Sequence, residues 1–293
     1  MVFQRGNQAI RRDLVRAIMP ELRLFSYLPN PRIWKATIAA RLCGVELEIR
    51  GSSPKNLQSW LWDFDSRPLS SEEQALPGAG AAGKVGFKGT LHKTSAFMAG
   101  HPFGTVPAAF SPDGKTGIFE SNSIMRVVAR LGESRFPLYG SGPYEASRVD
   151  SFLDASLVFA RDSQIYLLSL LDGTISAEIH ARTRDGFAIY AGGINQALAP
   201  DRKVLVGDNL TLADICFVAE MSLFFNERKS IGQLAKKGLA PILHASITES
   251  FPRAFAHLGT LRQHPAFAPD VEPYLAKLET NAKQMNRGDS AEG

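Results

Sequence analysis

Residues 101–124 read HPFGTVPAAFSPDGKTGIFESNSI, two short apolar runs separated by a turn sequence. The runs are VPAAF (106–110) and TGIFE (116–120), and SPDGK between them combines Pro, Asp and Gly. Because these three residue types favour tight turns, the pattern predicts a β-hairpin. The hairpin leads directly into SNSIMRVVARLG (121–132), whose apolar spacing and terminal glycine predict a helix.

The chain before this hairpin predicts a strand, a helix and a second strand. The predicted strands are LRLFSYL (22–28) and the alternating VELEI (45–49). Between them RIWKATIAARLC (32–43) has apolar residues at helical spacing and is followed by a glycine. Such short connections imply a parallel strand pair with a right-handed crossover. With a further short helix at 93–99, residues 21–132 follow the element order of the thioredoxin fold.

The stretch 51–90 is predicted to be an irregular, flexible insert in this domain. It is rich in Gly, Ala, Ser and Pro around ALPGAGAAGKVGFKG (75–89). The segment GAGAAGKV within it superficially fits a phosphate-binding loop. However, no predicted strand precedes it, and Val85 follows Lys84 where such a loop needs Ser or Thr to reach magnesium. We therefore assign it no nucleotide-binding role.

A polar linker at 133–145 separates this domain from a region, 146–285, whose pattern is helical throughout. The clearest helix start is Thr211, which forms a capping box with Asp214 and would stabilise the helix by about 1 kcal/mol. We assign this pair a structural role. The sequence thus predicts an α/β thioredoxin-like N-terminal domain followed by an all-α C-terminal domain. The predicted helices are 146–171, 174–198, 211–225, 231–238, 248–264 and 271–285.

Composition limits the classes of function. The chain has 293 residues, 44% of them apolar, which is enough to form the cores of two domains. Its net charge of +4 mildly favours anionic ligands, but Lys and Arg are scattered, so no nucleic-acid partner is predicted. Cys43 and Cys216 lie in apolar helical patterns without metal-ligand spacing, so we predict buried thiols and no metal site.

Residues 1–20 are predicted to be an N-terminal extension containing a short amphipathic helix. Within it RRDLVRA (11–17) lacks the apolar segment that follows a twin-arginine export signal. No apolar run reaches the roughly 18 to 20 residues that a membrane helix requires. We therefore predict no membrane partner and a cytoplasmic location.

Five segments, in the right order along the chain, resemble the cytosolic glutathione S-transferase superfamily. Residues 91–110 resemble its HKSPxFLxxNPFGxVPAL segment, residues 118–130 its LxESxAIxxYLA segment, and residues 204–215 its FLVGxxxTLADI segment. Residues 251–267 resemble the ending YPxLxxWxxxIxxxPxF. YLPNPRIWKATIAARLCG (27–44) is most similar to the transferase-like domain of elongation factor 1 gamma and to related fungal and bacterial transferases. The resemblance implies the glutathione transferase fold, with glutathione as co-substrate.

The resemblance also implies how glutathione would bind. Pro107 would follow a cis peptide bond, so that the backbone of Val106 can pair with the cysteinyl backbone of the tripeptide. Glu120 and Ser121 would stand at a helix start, where backbone N–H groups and the helix dipole attract the γ-glutamyl carboxylate. The Ser121 hydroxyl would donate to that carboxylate, and Glu120 would accept from the ligand amine.

Three further residues match positions that lie near the glycyl carboxylate of glutathione in this superfamily. His92 and Lys93 correspond to a His-Lys pair that meets the glycyl carboxylate, although a solvated charge pair is the alternative. Thr105 stands where many members of the superfamily have Lys or Gln, so one carboxylate contact is expected to be weaker or missing.

The catalytic position is the point at which the sequence departs from the usual pattern. A transferase lowers the pKa of the glutathione thiol, usually with one Ser or Tyr hydroxyl, because the thiolate is the nucleophile. Counting back from the end of the first helix places the Ser of some classes on Asn30 and the Tyr of others near Ser26. The Asn30 amide can donate to a thiolate, and Ser26 or Tyr27 could substitute. The alternative is that YLPNP is only a turn.

Two functions therefore remain open. One is a transferase that attaches glutathione to a hydrophobic, aromatic electrophile, or cleaves a lignin-type aryl ether by thiolysis. The other is a non-catalytic subunit of a dimer or assembly, like the elongation factor 1 gamma domain; Asn30, Thr105 and the insert favour it. The resemblance implies a homodimer, or a heterodimer with a related transferase chain. Candidate walls of the acceptor site, which fit a helix core as well, are Phe152, Leu157, Phe159, Tyr166 and Leu167.

Overall fold

The computed structural model describes residues 20–75, 81, 82, 87 and 89–288. The predicted N-terminal helix and most of GAGAAGKV lie outside the described residues. The chain divides into two compact units after Arg135. Strands of the first unit are β1 (Leu22–Tyr27), β2 (Leu47–Ser52), β3 (Trp60–Trp62), β4 (Arg67–Pro68), β5 (Ala81–Ala82), β6 (Thr90–Lys93), β7 (Ala108–Phe110) and β8 (Gly117–Phe119). Its helices are α1 (Pro31–Cys43), α2 (Ser71–Ala75), α3 (Ser95–Gly100) and α4 (Ser121–Leu131).

The main sheet of the first unit has the strand order β2-β1-β7-β8. β1 is parallel to β2 and antiparallel to β7, and β7 and β8 form an antiparallel hairpin. Helices α1 and α4 pack against each other. The predicted strand–helix–strand unit and the predicted hairpin are thus confirmed.

Helix α1 has a defined cap at each end. Asn30 is the N-cap, and its side chain accepts a hydrogen bond from the Arg32 N–H. Pro31 follows at the first helical position, where its missing N–H costs nothing. Gly44 ends the helix in a left-handed conformation (φ 66°), which glycine adopts without steric penalty. These two caps fix the path of the chain from β1 into the helix.

The expectation of an irregular insert at 51–90 is wrong for much of this segment. β3 to β6 form a second sheet in the order β4-β3-β6-β5, in which β3 and β6 are parallel. Trp62 on β3 is fully buried, and its ring meets Phe25 edge-to-face with centroids 5.3 Å apart. Burial of large aromatic side chains of this kind stabilises strands that are only two to four residues long. The high Gly and Ala content of the segment predicted irregular structure, although its aromatic side chains form part of the core.

The second unit is helical. Its elements are α5 (Pro143–Leu171), α6 (Ala177–Ala197), α7 (Leu212–Phe224), a 3₁₀ segment (Phe225–Ser230), α8 (Ile231–Lys236), α9 (Ile247–Ser250), α10 (Pro252–Arg262) and α11 (Ala268–Gly288). The capping box predicted at the start of α7 is present, with Thr211 and Asp214 bonded to each other's backbone. No described helix is both long enough and apolar enough to cross a membrane.

The single helix predicted over 248–264 is instead two helices. The break lies at Phe251, whose backbone (φ −132°, ψ 58°) is not helical. Pro252 explains the break, because its ring disfavours a helical conformation in the residue before it. Pro143 likewise starts α5 three residues before the predicted boundary of 146, since proline is accepted at the first helical position.

Candidate functional site

The predicted site residues converge on one end of the main sheet. In the antiparallel pairing, Ala108 of β7 lies opposite both Phe25 of β1 and Phe119 of β8. The last residues of β1, the residues that precede β7 and those that follow β8 therefore all lie at the same end of the sheet. The residues that this register brings together are Ser26, Tyr27, Val106, Pro107, Glu120 and Ser121.

The loop before β7 has the shape that the resemblance implies. The Val106–Pro107 bond is cis. Two residues earlier Gly104 has a positive φ of 61°, and a Cβ there would lie 2.9 Å from the Met98 sulfur. This position therefore needs glycine. Thr105, between the glycine and the proline, is exposed.

Lys93 ties this loop to the second sheet. Its ammonium donates a 2.6 Å hydrogen bond to the Gly104 carbonyl and lies 5.1 Å from the centre of the Trp62 ring. His92, the preceding residue on β6, is half-buried. Lys93 thus places a positive charge beside the loop that carries Val106. This position agrees with a role in binding an anionic group, and equally with a role in holding the loop in place.

Glu120 and Ser121 form an unusual helix start. Glu120 has φ 65° and ψ 121°, and it is the one non-glycine residue with positive φ in the described part of the chain. Its side chain makes no capping hydrogen bond to α4 and is exposed. Such backbone conformations cost about 1–3 kcal/mol and commonly occur where a ligand binds. The start of α4 therefore combines backbone strain, helix N–H groups and an exposed carboxylate.

A buried lysine, which the sequence analysis missed, reaches this helix start. Lys35 of α1 is 0% exposed, and its ammonium donates to the Ser121 hydroxyl oxygen (3.3 Å) and to Asn122 Oδ1 (2.7 Å). The contacts join residues 86 and 87 positions apart. The only sequence signal was a lysine on the apolar face of a predicted helix.

Asn30 is buried and takes part in a small hydrogen-bond network. It is 1% exposed; its Oδ1 accepts from the Arg32 N–H (3.0 Å), and its Nδ2 donates to Ser26 Oγ (3.0 Å). Ser26 is also fully buried, whereas Tyr27 is half-buried and contacts Phe87 edge-to-face. The contacts seen for Asn30 are those of a helix cap, and its catalytic role stays a prediction.

His101 is a second buried residue that the sequence analysis did not single out. It is 2% exposed and stacks between the rings of Phe97 (5.8 Å) and Phe119 (5.1 Å). Its Nε2 lies 3.4 Å from the Thr105 hydroxyl, so it supports the loop before Val106. Burial, and secondarily the Lys93 charge, hold the pKa of His101 below its usual value.

The proposed acceptor walls divide between core and surface. Phe159 and Tyr166 are buried, and both rings lie close to Phe224. Leu157 is 42% exposed. Phe159 and Tyr166 therefore belong to the core of the helical unit.

Among the described side chains, no group of three or more His, Cys, Asp or Glu could hold a metal ion.

Curated relatives fall into two groups. Elongation factor 1-gamma of Prunus avium is 29% identical over 184 residues, which cover 61% of this chain and 39% of that protein. A glutathione S-transferase-like protein of a Fusarium species is 28% identical over 197 residues, covering 66% of this chain and 73% of that protein. The chain thus spans about two fifths of the length of the elongation factor it matches. No protein-family model matches the sequence.

Solved structures with the same fold include two proteins that hold derivatives of glutathione. One is a glutathione S-transferase of Methylobacterium radiotolerans in complex with glutathione sulfonate (TM-score 0.57, 18% identity, 85% of this chain and 94% of that chain). Another is Ure2p5 of Phanerochaete chrysosporium, cocrystallised with 1-(S-glutathionyl)-2,4-dinitrobenzene (TM-score 0.59, 16% identity, 89% and 97%). The chain therefore has the glutathione S-transferase fold, a small mixed-sheet domain followed by a helical domain.

Proposed function

We propose that the protein binds glutathione at the end of the main sheet and transfers it to a hydrophobic, aromatic electrophile. The observation that carries this proposal is the convergence of the Val106–Pro107 corner with the strained Glu120–Ser121 helix start, through the pairing of β7 with β8. A subunit with only a scaffolding role has no need for this combination. Proteins of the same fold that hold glutathione sulfonate or a glutathionyl conjugate support the choice of ligand.

Each part of the tripeptide has a proposed partner in this arrangement. The backbone of Val106 pairs with the cysteinyl backbone. The N–H groups and hydroxyl at the start of α4 receive the γ-glutamyl carboxylate, and Glu120 accepts from the amine. The Lys93 ammonium attracts the glycyl carboxylate, with His92 beside it, while Thr105 contributes at most a neutral contact.

Asn30 is the proposed stabiliser of the glutathione thiolate. Nδ2 carries two hydrogens, and the bond to Ser26 uses one of them, which leaves the second as a donor to sulfur. A hydrogen bond to a charged acceptor contributes about 1.5–3 kcal/mol, which lowers a thiol pKa by roughly one to two units. Ser26 and Tyr27 are the alternative donors.

The chemical step is a substitution at carbon. The thiolate sulfur forms a bond to the electrophilic carbon, the bond from that carbon to the leaving group breaks, and the thiol proton passes to solvent. With an aryl ether as substrate, the C–O bond breaks instead and the departing phenolate takes up a proton. Cleavage of a lignin-type β-ether is the more specific form of the proposal.

The first test is calorimetric titration with glutathione, followed by assay with 1-chloro-2,4-dinitrobenzene and with an aryl ether of a coloured phenol. We expect saturable binding and formation of the thioether. Ser121→Ala should weaken binding, whereas Ser134→Ala, at an exposed position outside the proposed site, should not. Absence of binding in the unaltered protein would exclude the proposal.

A non-catalytic subunit is the second candidate. It is favoured by the cap geometry of Asn30, whose oxygen and one N–H are already used within the protein. The similarity to elongation factor 1-gamma supports it too. Glutathione binding without turnover on any electrophile would favour this candidate. Light scattering on the same sample tests the proposed homodimer, and co-purification with a related transferase chain tests the heterodimer.

A further inference from the structure

The buried ammonium of Lys35 lies at the start of α4. It donates to the Ser121 hydroxyl oxygen at 3.3 Å and to Asn122 Oδ1 at 2.7 Å, so both acceptors belong to the first two residues of that helix. The lysine side chain is completely removed from solvent. Neither the fold nor the proposed transfer reaction assigns it a role.

The chemistry of the two groups fixes the direction of the Ser121 hydroxyl. An ammonium group can only donate hydrogen bonds, so the serine oxygen must act as the acceptor towards Lys35. The single hydroxyl hydrogen then points to another acceptor. The hydrogen bond from a cation also makes that hydroxyl a stronger donor, because neighbouring hydrogen bonds polarise each other.

The position of the charge points to an anion. The N-terminus of a helix already carries about half a positive charge, and a cation there opposes the helix dipole rather than complementing it. A bound carboxylate reverses the sign of this interaction, since it is attracted by both the dipole and the ammonium. Burial of the ammonium reduces screening by solvent and strengthens that attraction.

We propose that Lys35 is a positioning residue for the carboxylate of the γ-glutamyl group. It orients the Ser121 hydroxyl as a donor to that carboxylate and adds positive charge behind it, without touching the ligand. This inference rests on the proposed glutathione site and makes it specific for ligands with an amino-acid carboxylate at that end. The rest of the tripeptide does not depend on Lys35.

A pair of ligands isolates the effect. Glutathione is compared with γ-aminobutyryl-cysteinyl-glycine, which lacks only the γ-glutamyl carboxylate, by calorimetry on the full chain. We expect the unaltered protein to prefer glutathione by about tenfold or more, as removal of a charged hydrogen-bonding group predicts. Lys35→Met, which keeps an unbranched side chain one atom shorter and removes the charge, should abolish most of this preference while the affinity for the analogue stays nearly unchanged.

Further variants separate positioning from general loss of structure. Lys35→Gln keeps a donor and should retain part of the preference, and Ser121→Ala should lose it. Combining Lys35→Met with Ser121→Ala should reduce the preference by less than the two single changes multiplied together, because they share the effect on one hydroxyl and only the charge of Lys35 acts independently of it. A folded Lys35→Met protein with the full preference for glutathione would overturn the inference. Failure of the unaltered protein to bind either ligand would instead reject the proposed function.

A measurement on the unaltered protein covers the case in which neither Lys35 variant folds. The buried ammonium should give a slowly exchanging ¹⁵N-edited NMR signal. This signal should shift on addition of glutathione and stay in place with the carboxylate-free analogue. Equal shifts with the two ligands would overturn the inference.

Discussion

Asn30 joins the end of β1 to the start of α1 through hydrogen bonds to Ser26 and to the Arg32 N–H. One side chain can therefore serve the fold and the chemistry at once. The capping oxygen and the donating nitrogen are different atoms, so the two roles do not exclude each other. This separation allows each role to be measured with its own substitution.

We expect Asn30→Ala to lower the free energy of unfolding by about 1 kcal/mol, the usual cost of losing an N-cap. Turnover should fall by about tenfold or more while glutathione still binds, because the thiolate loses its donor. Denaturant unfolding and steady-state kinetics at a temperature where the variant is folded give the two values. Asn30→Ser, which retains both a cap and a donor, is the matched control. Unchanged turnover in the alanine variant would remove Asn30 from the mechanism.

His101 gives the first unit a dependence on pH. Burial and Lys93 hold the pKa of His101 below its usual value, so the unfolded chain takes up a proton at higher pH than the folded chain does. Stability therefore rises with pH through the usual histidine pKa of about 6.5, and the contribution is lost as the pH falls below it.

We expect His101→Phe, which keeps a ring between Phe97 and Phe119, to reduce the loss of stability between about pH 7 and about pH 5. Urea unfolding across that range measures the slope. An identical slope in the His101 variant would show that this side chain is not what titrates.

At the scale of the element, the start of α7 shows how a local motif acquires a larger role. Asp214 is fully buried and accepts hydrogen bonds from the Thr211 N–H (2.9 Å) and from the Leu205 N–H (2.9 Å). Its Oδ1 also lies 2.9 Å from Nε2 of His257 on α10. The capping box could be predicted from sequence, but the contact with α10 could not, because it joins residues 43 positions apart.

Asp214→Ala should therefore destabilise the protein by about 3 kcal/mol rather than the roughly 1 kcal/mol of a cap alone. The additional loss comes from the buried donors of Leu205 and His257, which are left without this acceptor. Thermal and urea unfolding measure the difference. Thr211→Val, which exchanges only the capping hydroxyl for a methyl group, is the control and should cost about 1 kcal/mol. Equal costs for the two variants would contradict the larger role of Asp214.

Elements that are long or that carry turn or capping residues could be predicted from the sequence, whereas short strands without such residues could not. The hairpin at 106–120 and helix α1 have turn or capping residues that act within a few positions, so the sequence identifies them. The second sheet has strands of two to four residues, and its stability comes from Trp62, Phe25 and Phe97, which meet only in the folded chain. Hydrophobic periodicity cannot detect strands of that length.

At the scale of the whole molecule, the site depends on register rather than on any one motif. Val106 and Glu120 could be identified from the resemblance. The pairing of β7 with β8 places the start of β7, next to Val106, beside the end of β8, next to Glu120. Lys35 could not be identified, since its contact with Ser121 depends on how α1 packs against α4. Motifs thus gave the residues that would touch the ligand, and the fold supplied the charge behind them.

Binding at this sheet end should stabilise the first unit directly. A ligand that binds only the folded state at about 100 times its Kd adds about 2.7 kcal/mol to the free energy of unfolding. The same ligand should slow amide hydrogen exchange in the loop before β7 and at the start of α4, because these backbone groups are its proposed partners. Thermal unfolding and hydrogen exchange, each with and without glutathione, measure the two effects.

The pattern of protection from hydrogen exchange, combined with turnover, then distinguishes the two proposed functions from each other. It also shows whether glutathione binds at the proposed site. Protection at residues 104–107 and 120–122, together with turnover, is the result expected for the transferase. The same protection without turnover on any electrophile assigns the chain to the non-catalytic class. In that case the glutathione-binding residues would be intact, but the protein would not activate the thiolate. Protection confined to α5 and α6 would contradict the site itself, because no proposed contact with glutathione lies on those helices. S-methylglutathione is the matched control: it keeps every backbone and carboxylate contact, and so should protect the same residues while being unable to react.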